Sequence, residues 1–264
     1  MNLASATVTR WVEEGLEDPE AFWARAAQEL PWFRTWDRIY EADPPTFRWF
    51  IGAQTNIAHN ALDHHVDAGR GQVDALIYFN ERGDEVRYTY AELLTEVKRV
   101  AAALRGLGIG KGDRVTLSMP TCPEALMLML ACMRIGAIHS VIFAGFGAQA
   151  LADRISASGS RFVFTADITY RRGKEVPLKP LLDDALRSVG DLVENVVVLQ
   201  RSTAKASLHP ERDIPWDAFL AGADGQSAEV EWMEANEPAF ILATSGTTAK
   251  PKLAVHRHGG DQGH

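Results

Sequence analysis

Apolar residues along most of the chain alternate between two spacings. From residue 75 onward, short unbroken apolar runs, typical of buried strands, alternate with stretches in which apolar residues recur every three or four positions, typical of helices. The clearest helical stretch opens with the capping-box sequence at 89–92 and ends at Gly108. Strands are predicted at 75–79, 86–88, 114–119, 139–143, 161–165, 195–199, 239–243 and 253–255, and helices at 89–107, 123–135, 148–158 and 181–189. This alternation predicts an α/β fold with a mostly parallel sheet and helices on both faces.

Residues 1–50 have a different character, because they hold five of the seven tryptophans. Asp18 and Pro19 provide an N-cap and a proline suited to the first helical position, and Pro31 ends the helix that they predict. Aromatic residues at helical spacing usually serve packing. We therefore expect a helical, aromatic-rich lead over residues 1–50 that docks on a main domain spanning residues 51–264.

Composition and charge exclude several classes of function. The 264 residues include 27 Lys or Arg and 35 Asp or Glu, and the net charge of −8 argues against a nucleic-acid partner. The longest apolar run, 125–133, is far shorter than the ~20 residues that span a bilayer, and no signal-peptide pattern opens the chain. Cys122 and Cys132, the two cysteines, are expected to be buried thiols in a reducing compartment. We therefore expect a cytoplasmic protein with no membrane partner.

One segment combines chemistry that suits a polyphosphate. After the apolar run 239–243, the chain changes to hydroxyl residues, one glycine and two lysines over 244–252. Hydroxyl, backbone N–H and lysine groups all donate hydrogen bonds to phosphate oxygens, and a glycine lets the backbone approach a bulky anion. A P-loop is excluded because Pro251 follows Lys250 where that motif requires Ser or Thr. On the residues alone, a polar hairpin between two strands is an equal alternative.

The order of residues in this segment is that of a known family. The sequence Thr-Ser-Gly-Thr-Thr-Ala-Lys-Pro-Lys at 244–252 resembles the phosphate-binding loop of the adenylate-forming superfamily, with Ala249 where glycine is usual. The segment 49–65 resembles the pattern Trp-Phe-x-Gly-x-x-x-Asn-x-x-x-Asn-x-x-Asp-x-His of the acetyl- and propionyl-CoA synthetase branch. The histidines of this segment and Asp63 lack the spacing of a metal motif, so no metal site is expected.

The resemblance implies two sets of site residues. Those expected to bind the phosphates of ATP are Thr244, Ser245, Gly246, Thr247, Thr248, Lys250 and Lys252. Those expected to bind coenzyme A are Phe143, Gly145, Arg171, Arg172, Gly173 and Lys174.

Both coenzyme A segments also have plainer interpretations. The turn 143–147 resembles a Phe-Gly-Gly-Phe turn of the family, with Ala144 in place of one glycine, but its glycines alone would suit any tight turn. The cations of 171–174 precede the family-like sequence at 176–179, but a charge run is usually a solvated surface loop. Arginine forks match phosphate oxygens in pairs, which favours a phosphate clamp.

The resemblance implies a ligase that uses ATP, Mg²⁺ and coenzyme A. In the family, a carboxylate attacks ATP to form an acyl-adenylate, and coenzyme A then displaces AMP to form a thioester. Little covalent chemistry falls to the protein, so positioning and charge stabilisation dominate. The substrate is expected to be acetate or another short-chain carboxylate.

The resemblance covers only the N-terminal portion of a typical family member. It implies that the catalytic residues lie beyond residue 264 and that the C-terminal domain is absent, so whether this chain is an enzyme by itself stays open. We expect a truncated portion that is inactive alone and self-associates through an uncovered sheet edge. One alternative is a non-catalytic fragment or pseudo-enzyme that binds coenzyme A or nucleotide and pairs with a full-length relative. A second is an unrelated phosphate-loop nucleotidase, which Pro251 disfavours.

Overall fold

The computed structural model describes residues 5–244 and 252–262. Within these ranges the α-helices are α1 Ala6–Glu17, α2 Pro19–Ala26, α3 Tyr90–Gly106, α4 Pro123–Arg134, α5 Ala148–Ser158, α6 Lys179–Leu186, α7 Trp216–Ala221 and α8 His258–Gln262. The strands are β1 Arg38–Asp43, β2 Thr46–Ile51, β3 Gln54–Thr55, β4 Asp74–Phe79, β5 Glu85–Thr89, β6 Arg114–Ser118, β7 Ile138–Val141, β8 Phe162–Ala166, β9 Ile168–Arg171, β10 Lys174–Pro177, β11 Asn195–Leu199, β12 Asp213–Pro215, β13 Met233–Glu234, β14 Pro238–Thr244 and β15 Lys252–Arg257. None of the helices in these ranges is both long and apolar enough to cross a bilayer.

The chain divides into two compact units that interleave along the sequence. Unit 1 comprises Met1–Thr55, Trp232–Glu237 and Arg257–His264. Unit 2 comprises Asn56–Glu231 and Pro238–His256.

A seven-stranded sheet forms the centre of unit 2. The strand order is β12-β11-β8-β6-β7-β14-β15, and each neighbouring pair from β12 to β14 runs parallel. The strands predicted from apolar runs are all present, with small shifts at their ends. Two of them, β4 and β5, form a separate antiparallel hairpin.

Both faces of this sheet are covered, because alternate residues of one strand enter different hydrophobic clusters. Phe162 and Phe164 of β8 pack in a cluster with residues of α3 and α4, whereas Val163 packs with residues of α5 and α6. Side chains alternate between the two faces of a strand, so the two clusters lie on opposite faces. The predicted α/β class with a mostly parallel sheet and helices on both faces is confirmed.

Helix starts follow the capping signals in the sequence. The Thr89 hydroxyl accepts a hydrogen bond from the Glu92 N–H, and the Glu92 carboxylate accepts one from the Thr89 N–H. The Asp18 carboxylate accepts from the Ala21 N–H at the start of α2. Each cap satisfies N–H groups that a helix leaves unpaired at its first turn.

Unit 1 departs from the expected helical lead. Helices α1 and α2 occupy its first part, but β1 and β2 then form an antiparallel hairpin in which Tyr40 pairs with Trp49. The helical lead was expected without these two strands, although Phe47 and Trp49 alternate with polar residues at the two-residue period of a strand. An aromatic cluster that includes Trp32 and Phe50 forms the core of this unit.

Candidate ligand-binding site

The carboxyl ends of the parallel strands in unit 2 border two adjoining cavities. Parallel strands all end at one edge of the sheet, and ligands of open α/β sheets gather beyond that edge. The first cavity, of about 330 Å³, lies between the ends of β6 and β7 and the β9–β10 hairpin. Its lining includes Glu81, Met119, Pro120, Thr121, Phe143, Gly145, Phe146, Tyr170 and Arg171.

The second cavity, of about 500 Å³, has mainly apolar walls and extends to Leu242 of β14. It shares four lining residues with the first cavity, namely Met119, Pro120, Thr121 and Phe143. The two cavities therefore form one recess that runs from the β9–β10 hairpin to the end of β14. Tyr78 lines the apolar part, and burial raises the pKa of its hydroxyl.

The predicted cationic segment forms the turn of the β9–β10 hairpin. Arg171 pairs with Lys174, and the two residues between them, Arg172 and Gly173, have φ values of 52° and 75°. Two consecutive residues with positive φ are typical of a type I′ turn, whose twist matches that of the flanking strands. Arg171 lines the first cavity, whereas Arg172, Gly173 and Lys174 lie at the exposed tip of the hairpin.

The base of this hairpin is fixed by Asp167, which lies between β8 and β9. The backbone carbonyl of Asp167 accepts from the N–H groups of Leu178 and Lys179 at 2.9 and 3.2 Å. Its buried carboxylate accepts from the backbone N–H groups of Arg201 and Ser202 at 2.8 and 3.0 Å. One residue therefore joins both ends of the hairpin to the segment that follows β11.

The turn after β7 brings the other two predicted coenzyme A residues to the same cavity. The Phe143 ring is 67% exposed and meets Phe146 edge to face, with ring centroids 5.9 Å apart. A Cβ at Gly145 would lie 2.3 Å from a ring carbon of Phe143, so this ring position requires glycine at 145. The structure thus places Phe143, Gly145 and Arg171 around one cavity.

The predicted ATP segment is described only at its two ends. The Thr244 hydroxyl donates to the Lys252 carbonyl at 3.3 Å, and the Phe240 ring stacks on His256 with centroids 4.5 Å apart. The two contacts pair β14 with β15 in antiparallel order, as in a hairpin. Five predicted residues, Ser245, Gly246, Thr247, Thr248 and Lys250, lie outside the described residues.

Three charged residues near the first cavity were not predicted from the sequence. Glu81, in the β4–β5 turn, belongs to the cavity lining. The guanidinium carbon of Arg154 lies 4.2 Å from the centroid of the Phe146 ring, and that of Arg201 lies 5.6 Å from the Tyr170 ring. No motif in the sequence around these three residues indicates a role in binding, because only the tertiary fold brings them to the cavity.

Two residues of the family-like segment 49–65, Asn56 and Asp63, make structural contacts. The Asp63 carboxylate binds the buried Arg134 guanidinium through two hydrogen bonds of 2.7 and 3.1 Å. The Asn56 side chain donates to the carbonyls of Met133 and Glu231 at 2.8 Å. Within residues 5–244 and 252–262, no group of three His, Cys, Asp or Glu side chains is arranged to hold a metal ion.

The two cysteines are buried, as predicted. Burial raises the pKa of the Cys122 and Cys132 thiols to about 12. Both remain protonated at neutral pH, so neither supplies a thiolate nucleophile.

Comparisons with known proteins agree with these features. A family model described as AMP-binding enzyme matches residues 62–261, and one described as acetyl-coenzyme A synthetase N-terminus matches residues 8–61. An acetyl-coenzyme A synthetase of Deinococcus radiodurans is 44% identical over 259 residues, which cover 98% of this chain and 40% of the relative.

Two further relatives show similar coverage. A 3-hydroxypropionyl-coenzyme A synthetase of Metallosphaera sedula is 45% identical over 247 residues, covering 92% of this chain and 37% of the relative. An acetyl-coenzyme A synthetase of Streptomyces avermitilis is 45% identical over 261 residues, covering 97% and 39%. The chain thus spans about 40% or less of the length of these relatives.

Proposed function

Because the chain belongs to the family of AMP-binding enzymes, we propose that it is the N-terminal portion of an acyl-coenzyme A synthetase. The complete ligase would join a short-chain carboxylate to coenzyme A in an ATP-dependent reaction. Its relatives carry the names of acetyl- and 3-hydroxypropionyl-coenzyme A synthetases, and both names refer to short acids. The observation that carries the proposal is the recess at the carboxyl edge of the sheet, which runs from the cationic β9–β10 hairpin to Leu242, two residues before Thr244.

We propose that coenzyme A binds with its phosphates at the β9–β10 hairpin. Arg171 faces the first cavity, and Arg172 and Lys174 add two cations at the hairpin tip. The rings of Phe143 and Phe146 give the nucleotide an apolar wall, and glycine at 145 leaves room for the Phe143 ring.

The thiol-bearing arm of coenzyme A would then extend along the second cavity. Three strand spacings separate β8 from β14, which is about 14 Å at ~4.8 Å per step. Apolar walls suit the methyl groups of the arm, and Leu242 lies at the far end, two residues before Thr244. This path would bring the thiol toward the segment that we assign to ATP.

We propose that residues 244–252 hold the β- and γ-phosphates of ATP. Hydroxyl and lysine donors there would neutralise charge on pyrophosphate as a carboxylate oxygen attacks the α-phosphorus and the bond to pyrophosphate breaks. In the second half-reaction, the thiolate sulfur of coenzyme A attacks the acyl carbon, and AMP leaves with the bonding electrons. Since the described residues offer no protein cage for a metal, Mg²⁺ is proposed to enter with the phosphates of ATP.

Two properties of the protein follow from the same proposal. We place it in the cytoplasm, where a reducing environment suits two buried thiols. We also propose that this chain alone binds its ligands without making thioester. Its relatives are much longer, and misplacing reacting groups by about 1 Å can cost ~100-fold in rate.

Titration calorimetry with coenzyme A tests the hairpin assignment. Arg171→Ala is expected to weaken binding at least about tenfold, because one charge-assisted hydrogen bond contributes about 1.5–3 kcal/mol. Arg187→Ala is the matched control, since Arg187 is an exposed arginine of the same unit whose side chain pairs with Asp184. Equal affinity of the wild type and Arg171→Ala would refute the assignment.

An activity assay separates a binding fragment from a competent ligase. Pyrophosphate release and thioester formation would be followed with acetate, propionate, ATP, Mg²⁺ and coenzyme A on the purified chain. We expect neither product. Turnover that survives purification and disappears in Lys250→Ala would instead show that this chain is an enzyme by itself.

A further inference from the structure

The β9–β10 hairpin needs support from the rest of unit 2. Each strand has four residues, the pair forms a separate two-stranded sheet, and an isolated hairpin of this kind is marginally stable in water. The turn adds strain, because Arg172 is a residue with a side chain at φ 52°. The direction in which Arg171 points therefore depends on contacts made by the hairpin with other elements.

One of these contacts is made by Arg201, which follows β11. Its guanidinium carbon lies 5.6 Å from the centroid of the Tyr170 ring, and its side chain is only 13% exposed. Arg82 also approaches this ring, at 5.3 Å, but its side chain is 62% exposed. A desolvated cation–π contact is stronger than an exposed one, so Arg201 contributes more than Arg82.

The other interactions of Arg201 do not compete with its contact to Tyr170. The Glu81 carboxylate is 3.8 Å from Nη2, which is within ion-pair distance but too far for a hydrogen bond. Within the described part of the chain, the buried Nη1 has no hydrogen-bond partner. Two neighbouring groups thus stabilise this guanidinium, the Glu81 carboxylate at ion-pair distance and the Tyr170 ring.

The backbone of Arg201 is held at a fixed place relative to the hairpin. Its N–H donates to the carboxylate of Asp167 at 2.8 Å, and the carbonyl of the same aspartate accepts from Leu178 and Lys179 where the hairpin ends. Arg201 thus reaches Tyr170 from an anchor that also defines the hairpin base. Tyr170 directly precedes Arg171.

From this arrangement we propose that Arg201 is a positioning residue: by holding the Tyr170 ring, it fixes the hairpin so that Arg171 faces the first cavity. This inference rests on the proposed binding of coenzyme A, since the ligand of Arg171 is assigned there. Arg201 itself need not touch the ligand.

Amide hydrogen exchange on the unliganded chain tests the structural part of the proposal. In Tyr170→Leu and Arg201→Met, the amides of 168–176 are expected to exchange about tenfold faster, because a desolvated cation–π contact is lost. Tyr170→Phe keeps the ring and loses only a 3.4 Å hydrogen bond to Glu175, so its exchange should match the wild type. Unchanged exchange in both Tyr170→Leu and Arg201→Met would overturn the proposal.

A double-mutant cycle tests the functional part. Arg201→Met should weaken coenzyme A binding about tenfold in the wild-type background and less than about twofold in Arg171→Ala, because it acts through Arg171. Arg201→Lys keeps a cation over the ring and should recover part of the affinity. If Arg201→Met does not fold, Tyr170→Leu replaces it in the cycle, because Tyr170 is the partly exposed partner of the contact.

The outcomes separate this inference from the proposed function. Equal effects of Arg201→Met in both backgrounds would show that Arg201 does not act through Arg171, and the inference would be wrong while the coenzyme A site stands. If the wild type binds no coenzyme A, the proposed function fails, and with it the claim that Arg201 serves ligand binding. The exchange measurement would then still decide whether Arg201 holds the hairpin.

Discussion

At the scale of single residues, a buried charge network joins α6 to β12. The Asp213 carboxylate is fully buried and lies 2.6 Å from the Lys179 ammonium and 2.8 Å from the Arg212 guanidinium. Burial by itself raises the pKa of Asp213, but hydrogen bonds from Arg212, the His209 N–H and Lys179 outweigh burial and hold this pKa below its ordinary value. Lys179 is also buried, and its ammonium lies 2.7 Å from the Asp183 carboxylate as well.

We predict that Asp213→Asn lowers the free energy of unfolding at pH 7 by about 1–3 kcal/mol, because Lys179 and Arg212 lose one of two carboxylate partners and keep only Asp183. Since the pKa of Asp213 is lower in the folded than in the unfolded chain, protonation favours unfolding. The stabilisation is present above about pH 4 and is lost as pH falls through the folded-state pKa. Urea denaturation between pH 7 and pH 3 should therefore show that the free energy of unfolding falls less with decreasing pH in the variant than in the wild type.

The control for this prediction is Asp184→Asn, on α6, the helix that carries Lys179. Asp184 is exposed and pairs with an exposed arginine, so this variant should stay within about 0.5 kcal/mol of the wild type. Similar losses in both variants would mean that the network does not depend on burial.

At the scale of elements, α3 passes very close to the end of α7. A Cβ at Gly106, the last residue of α3, would lie 2.1 Å from the carbonyl oxygen of Gly222. Alanine favours a helix over glycine by about 1 kcal/mol, but a clash with backbone atoms costs about 1–3 kcal/mol and cannot be relieved by a rotamer change.

We therefore predict that Gly106→Ala destabilises the protein by about 1–2 kcal/mol, measured from the midpoint of chemical denaturation. Gly110→Ala is the matched control. A Cβ there meets no atom within 4 Å, and the variant should be neutral or stabilising by up to ~1 kcal/mol. A stabilised Gly106→Ala would show that α7 moves away at little cost.

Elements whose apolar residues repeat regularly could be predicted from the sequence. Helix α3 has both a capping box and a continuous apolar face, and β8 is an apolar run. The hairpin β9–β10 could not be predicted, because its strands are short and polar and Arg172-Gly173 is not a favoured type I′ pair. The β1–β2 hairpin was not predicted, because the helical signals at Asp18 and Pro19 guided the interpretation of the whole N-terminal segment.

In the candidate site, too, some residues could be predicted from the sequence and others could not. Phe143, Gly145 and Arg171 belong to local sequences that resemble family motifs, so they could be named before the structure. Arg201 could not, because its contact with Tyr170 depends on β11 lying beside β8 in the sheet.

At the scale of the whole molecule, the two edges of the seven-stranded sheet differ. Among the described strands, β12 forms one edge, has only three residues and ends in Pro215, which blocks further pairing. The strand β15 forms the other edge, with six residues and an exposed Val255. A longer edge with an exposed apolar residue is a template for pairing with a second chain.

We predict that the chain self-associates through β15 and that Val255→Lys reduces this association. Sedimentation velocity over a range of concentrations would measure it, and a charge at the edge should shift the distribution toward monomer. Val141→Thr is the control, because Val141 lies in the second cavity, away from this edge. A larger effect of Val141→Thr would place the contact at the apolar cavity instead.

The interleaving of the two units affects how the chain folds during synthesis. The core of unit 1 combines Trp32 and Phe50 with Ala235, so it is not complete until the ribosome has passed the whole segment 56–231. At a translation rate of roughly 5–20 residues per second, this segment takes roughly 9 to 35 seconds. Throughout that interval the N-terminal aromatic side chains lack their packing against Ala235, and a chaperone can bind them on the nascent chain. Slower codons within 56–231 would lengthen this exposure without changing a single residue.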